Sequence, residues 1–187
     1  TKQKKSAAIF TSETQWMQAA TVGMIGFLIL LNIIGMWSND RLFAQAKQSL
    51  AVGDGLSAYQ QFATLTQRAP NQAEYWEQQA LTLGQLAYSA HASQNSTSAA
   101  LLAEEAVDSI NQATQRNPVH LNIWKSRARV FLWLAIIDPQ YYDSAQRALE
   151  TASKLAPTDP KVLYNLALIY ESTQQIELAN TTYQKAI

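Results

Sequence analysis

Residues 106–133 read AVDSINQATQRNPVHLNIWKSRARVFLW, and their spacing decides the fold. Ala106, Ile110 and Ala113 are separated by four and then three residues, so they share one helical face. Pro118 follows five residues later, Trp124 six after that, then Ala128 and Phe131 at further offsets of four and three. An apolar face, a proline and a second apolar face describe two helices joined by a turn. Proline cannot continue a helix, and it disfavours helical backbone in the residue before it. The series recurs on both sides. Ala58, Phe62, Leu65 and Pro70 lead to Trp76, Ala80 and Leu83. Ala145, Leu149, Ala152 and Pro157 lead to Leu163, Ala167 and Tyr170, and Ala179, Tyr183 and Ala186 begin another copy. In each pair of helices the large residues fill the space between units and the small ones let the helices approach.

The copies are not equally spaced. Ala46 to Ala58 and Ala167 to Ala179 are both 12 residues, whereas Ala80 to Ala106 is 26 and Ala128 to Ala145 is 17. Insertions are therefore expected at 84–102 and 134–142. The first contains HASQNSTS, from His91 to Ser98, whose polarity predicts a mobile loop. The second contains Tyr141 and Tyr142, read either as a contact patch or as part of a longer, capped hairpin. The first unit has no preceding proline; Leu42, Ala46 and Ser49 take its first-helix places and Gly53-Asp54-Gly55 forms its turn.

On these residues the chain resembles the tetratricopeptide repeat (TPR) family, whose units are pairs of antiparallel helices of about 34 residues. The resemblance covers 39–187 and implies four hairpins, the last truncated. The expected architecture is all-α: a transmembrane helix followed by a right-handed α-solenoid of antiparallel hairpins.

The transmembrane segment is Ala19–Trp37, AATVGMIGFLILLNIIGMW, nineteen residues without a charge. That is close to the ~20 residues that cross a hydrocarbon core as a helix. Trp16 and Trp37 flank it, as aromatic rings do at a membrane interface. A cleaved signal, with Ala44–Ala46 as a loose cleavage site, and a soluble core helix are the alternatives. Residues 1–18 form a cytoplasmic or interfacial flank. Lys2, Lys4 and Lys5 precede the span, and this bias places the repeats on the extracytoplasmic side.

Fourteen basic and fourteen acidic residues balance, which argues against nucleic acid as a partner. Cysteine is absent, so disulfides, thiol catalysis and thiolate metal sites are excluded together. His91 and His120 are the only imidazoles and read as surface residues. No serine, histidine or carboxylate constellation suggests catalysis, and no glycine loop suggests a phosphate cradle. No catalytic, cofactor-binding or metal residue is assigned.

The expected function is binding of a protein or peptide partner in the concave groove lined by the first helix of each hairpin, as part of an envelope complex. On the family register that groove is acidic near Glu74 and Glu77 and basic and aromatic further on. Its candidate contacts are Lys125, Arg129, Trp133, Lys161, Tyr164 and Asn165. Lys125, Arg129, Lys161 and Asn165 partly resemble the carboxylate clamp of chaperone-docking family members. The alternatives are a general anionic or peptide contact surface and ordinary solvated charges. Trp133 is expected as an exposed indole in the groove. Arg127 stands where the family has a buried leucine and is expected to pair with Glu104, Glu105 or Asp108.

A span followed by repeats containing WKSRARVF and KLAPTDPKVLYNLALIYE is also similar to the carboxyl-terminal region of bacterial O-antigen ligase and polymerase-family membrane proteins. That resemblance implies a multi-span glycan transferase whose catalytic residues lie outside this sequence, with a lipid-linked glycan as substrate.

Overall fold

A computed structural model describes residues 7–186. Eight helices run through them: α1 (Ala7–Ala51), α2 (Gly55–Arg68), α3 (Ala73–Ala92), α4 (Ser96–Arg116), α5 (Leu121–Ile137), α6 (Tyr141–Leu155), α7 (Pro160–Ser172) and α8 (Ile176–Lys185). They form two compact units, Thr1–Leu42 and Phe43–Ile187.

The first unit contains most of α1. No charged residue lies between Glu13 and Asp40. From Trp16 to Trp37 every large apolar side chain is at least half exposed. The helix is long and apolar enough to cross a membrane. The Thr21 hydroxyl donates to the Met17 carbonyl (2.8 Å), so its polar group is satisfied within the helix. The Arg41 guanidinium lies 4.9 Å from the Trp37 ring centre, a cation–aromatic pair at the end of the apolar stretch. Lys2, Lys4 and Lys5 lie outside the described residues.

The second unit is an all-helical stack of hairpins of the TPR-like solenoid type. Its first hairpin uses the end of α1: Phe43 packs edge-on against Phe62 of α2, with ring centres 5.9 Å apart. Ala46 is fully buried, and the Ser49 hydroxyl donates to Gln61 Oε1 (3.2 Å). Gly53 supplies the positive φ of +85° that the turn requires. Asp54 then caps α2 by accepting the Ser57 N–H (3.0 Å). Three hairpins follow, α3/α4, α5/α6 and α7/α8. Ala80, Leu83, Ala106, Ile110 and Ala113 are fully sealed in one core that continues through Phe131, Ala145, Leu149 and Leu166. The proline-bounded spacing therefore marks packing positions. A Cβ on Gly84 of α3 would meet the Trp133 ring at 3.1 Å, so glycine lets α3 and α5 approach there.

The 84–102 insertion is not a mobile loop. α3 continues to Ala92 and α4 begins at Ser96, leaving a three-residue turn. In that turn Gln94 takes a left-handed φ of 61°, as Gln174 does between α7 and α8. The following N–H closes each turn, Asn95 to the Ala90 carbonyl (2.9 Å) and Gln175 to that of Tyr170 (2.7 Å). Gln94 lies fourteen residues beyond Ala80, against seven from Ala167 to Gln174. Each helix of the long hairpin has gained seven residues, almost two whole turns, so its apolar stripe stays on the same face. At 134–142 the extra residues likewise extend the hairpin: α5 runs to Ile137 and Tyr141 stacks on Phe131 at 5.9 Å.

Candidate functional site

Each hairpin's first helix begins just after a turn, and two clefts open beside those beginnings. One, of 530 Å³, lies against the start of α7 and the end of α8 and is lined by Pro160, Lys161, Tyr164, Asn165, Tyr183 and Ala186. Asp159 fixes the start of α7, accepting the N–H groups of Lys161 (2.9 Å) and Val162 (3.3 Å). Pro160 occupies the first helical turn, where its missing N–H costs nothing. Val162, Leu163 and Leu166 face the core, which leaves Lys161, Tyr164 and Asn165 on the solvent-exposed face. Tyr164 is 52% exposed, and its ring centre lies 5.6 Å from that of Tyr183. The Tyr183 hydroxyl donates to Glu171 Oε2 (2.8 Å), and this bond foremost pushes its pKa up to about 12. Lys161 makes no ion pair among the described residues.

The second cleft, of 570 Å³, lies between the beginnings of α3 and α5, with Glu74, Glu77, Asn122 and Arg116 in its walls. The Arg116 guanidinium is committed elsewhere. Its Nε donates to the Pro70 carbonyl, one terminal nitrogen bonds the Gln112 carbonyl (2.9 Å) and side chain (2.6 Å), and its plane lies 4.9 Å over Trp76.

The structure brings three of the six expected contacts together: Lys161, Tyr164 and Asn165 share one cleft. The other three do not line it. Lys125 is bound to Asp159 by an ion pair of 3.1 Å that ties α5 to the cap of α7. A carboxylate clamp built on Lys125 would need this pair to open. Arg129 is exposed. Trp133 is half-buried, with its ring against Gly84, and is not the exposed indole expected. Tyr183 is a wall residue that the repeat register passed over, because it stands at a second-helix packing position.

Arg127 forms no ion pair with Glu104, Glu105 or Asp108. It donates to Asn111 Oδ1 (2.7 Å) and Thr114 Oγ1 (3.3 Å) and lies 4.8 Å from the Phe131 ring centre and 5.8 Å from that of Trp124. Burial foremost, and then the nearby Arg147 charge, lower its pKa. Aromatic faces and neutral acceptors do the work that a carboxylate was expected to do.

These features define a TPR-like helical repeat module. A tetratricopeptide repeat family model matches residues 160–187, the α7/α8 hairpin. Among solved structures the chain is similar to MamA, at 16% identity and a TM-score of 0.60 over 79% of this chain and 75% of that one. It is also similar to MamA residues 41 to the end from Desulfovibrio magneticus RS-1, at 20% identity and a TM-score of 0.61 over 79% and 73%. A tetratricopeptide repeat protein from Parabacteroides merdae ATCC 43184 matches at 18% identity and a TM-score of 0.55, over 80% of this chain and 52% of that one. No curated protein matches.

These findings overturn the expected tie to O-antigen ligases and polymerases. The likeness found is to MamA and to the repeat itself. The stretches that suggested a glycan transferase are built around packing residues. Ala128, Phe131, Leu163 and Ala167 are buried in the hairpin stack, and any TPR-like hairpin needs such residues there, whatever it binds. The lipid-linked glycan falls with that tie.

Proposed function

We propose that this chain is a membrane-anchored TPR-like module that holds a protein or peptide partner in an envelope complex, with its repeats on the extracytoplasmic side. The carrying observation is the cleft at α7 and α8. Tyr164 leaves half its surface in solvent beside Tyr183, and the unpaired Lys161 stands at the rim. An aromatic wall with a free cation next to it suits a peptide side chain together with an acidic or carboxylate group. The uncharged stretch between Glu13 and Asp40 supports the anchor.

The absence of cysteine makes a direct test available. Tyr164→Cys and, at an exposed position on α4, Leu101→Cys are made separately in the full chain. Each is treated with a membrane-impermeant maleimide on intact cells and after purification. Position 101 is expected to label equally in both. Position 164 is expected to label several-fold more slowly in cells, where the partner covers it. Labelling of neither position until the cells are opened would overturn the orientation. Equal labelling of both would overturn the binding site.

A further inference from the structure

The cleft between α3 and α5 contains a buried carboxylate with no cation beside it. Glu77 is 8% exposed. One of its oxygens accepts the Ser126 hydroxyl at 2.5 Å, a bond that joins α3 to α5. Among the described residues no lysine, arginine or histidine nitrogen lies within ion-pair distance of it. Among the described residues its second oxygen has no hydrogen-bond partner, yet none of their buried side-chain polar atoms is left sealed without one. That oxygen therefore opens on the 570 Å³ cleft that Glu77 lines. Burying a carboxylate without a counter-charge is costly, and one hydroxyl offsets only part of that cost.

The surroundings point to the sign of the missing partner. Glu74, exposed on the same wall in the first turn of α3, adds a second negative charge. The positive ends of α3 and α5 favour such charge, but that help fades within the first turn and Glu77 lies beyond it. The Asn122 side-chain amide also lines the cleft, and its oxygen is a further acceptor. Of the two basic residues that line the cleft, Arg116 has its guanidinium turned to Pro70, Gln112 and Trp76, and His120 makes no ion pair with Glu74 or Glu77 among the described residues. Among the described residues no three carboxylate or imidazole groups converge as a metal site, so the chemistry suits an organic cation.

We infer that this cleft receives a lysine or arginine side chain from an extended segment of the partner protein, seated on Glu77 and Glu74. The inference rests on the peptide-binding reading and adds polarity to it. A basic side chain lies at the α3/α5 cleft, and an acidic or carboxylate group lies at the Lys161 cleft.

The test uses the full chain in mild detergent and a random twelve-residue peptide library displayed on phage. Selected peptides are remade with free and blocked ends and measured by fluorescence anisotropy. The expected result is enrichment of lysine or arginine, with affinity falling about tenfold for Glu77→Gln, close to the lower end for a hydrogen bond to a charged group, and about threefold for the exposed Glu74→Gln, as for a solvent-screened ion pair. Replacing the basic residue of the peptide by norleucine should lose more than Glu77→Gln alone, because both carboxylates lose their partner, and should leave Glu77→Gln and Glu74→Gln with little further effect. Glu74 is exposed, so Glu74→Gln keeps the proposal testable if Glu77→Gln disturbs the fold. Two results overturn this inference while leaving the peptide-binding reading intact: peptides that bind with no basic preference and unchanged affinity for both variants, or peptides enriched in acidic residues here. A library that yields no binder overturns both.

Discussion

The turns before α3 and α5 are closed by an indole, and the turn before α7 by a carboxylate. Trp76 Nε1–H donates to the Pro70 carbonyl (2.8 Å), and Trp124 Nε1–H donates to the Pro118 carbonyl (2.7 Å). In both, an arginine lies over the ring, Arg116 on Trp76 and Arg127 on Trp124. After Pro157 the matching position is Leu163, which has no N–H to give. There Asp159 caps α7, and Lys125 reaches across from α5 to hold it. The same six-residue offset thus carries two chemistries. The indole turns depend on packing and a neutral hydrogen bond. The α7 turn depends on charge, so acid and salt can reach it.

Removing an indole is expected to have the largest effect. Trp124→Ala loses a half-buried ring, the bond to Pro118 and a face for Arg127. It should cost about 3 kcal/mol, at the lower end for large aromatic truncations because the ring is not fully buried. Trp124→Phe keeps most of the packing and loses the N–H, for about 1 kcal/mol. Urea midpoints followed by circular dichroism measure both. Equal losses for the two variants would mean that the hydrogen bond, and not the ring, holds the turn.

The indole turns were half legible in the sequence. The offset from proline to tryptophan was visible, and so was the burial of the alanines around it, because both follow from helical periodicity. The bond from Nε1–H back to the proline carbonyl was not, since it depends on how the chain bends between the two. The long α3/α4 hairpin is similar. Its polar HASQNSTS stretch reads as a loop, yet an excess of fourteen residues is two sevens, and seven residues return a helix to the same face. Arg127 was misplaced for a different reason. Sequence shows a cation at an apolar position but not which neighbours surround it, and here the neighbours are two aromatic rings and Asn111. That Lys161, Tyr164 and Asn165 share one exposed helix face was readable from register alone. The pairing of Lys125 with Asp159 was not, because the two lie 34 residues apart on different hairpins.

The carboxylate turn should respond to acid where the indole turns do not. Partial burial works to raise the Asp159 pKa, but the Lys125 hydrogen bond and the N–H groups of Val162 and Lys161 more than offset it, and the net shift is downward from 3.8. A carboxyl depressed on folding contributes stability that is complete above its ordinary value and is lost as pH falls through the folded one. Hydrogen exchange at the start of α7 should therefore accelerate below about pH 4 relative to the start of α5. Asp159→Ala should remove that difference and cost about 1 kcal/mol at neutral pH, the usual loss for a cap. An α7 start that frays equally with α5 in acid would show that Asp159 carries no special share.

The smallest effect separates the cap from the ion pair. Lys125→Met keeps the alkyl stem beside α5 and removes only the charge. The pair is partly exposed, with 31% of the Lys125 side chain and 22% of the Asp159 side chain open to solvent, so water and salt screen it. A loss of about 0.5 kcal/mol is expected at low salt, falling towards zero at high salt, while the Asp159 bonds to Lys161 N–H and Val162 N–H persist. If the Lys125→Met loss matches that of Asp159→Ala and does not change with salt, the α7 turn is held from α5 and not by its own cap. The carboxylate turn would then be a tie between hairpins, as Tyr59 makes between α2 and α4 through Glu105 (2.6 Å), rather than a local substitute for the indole.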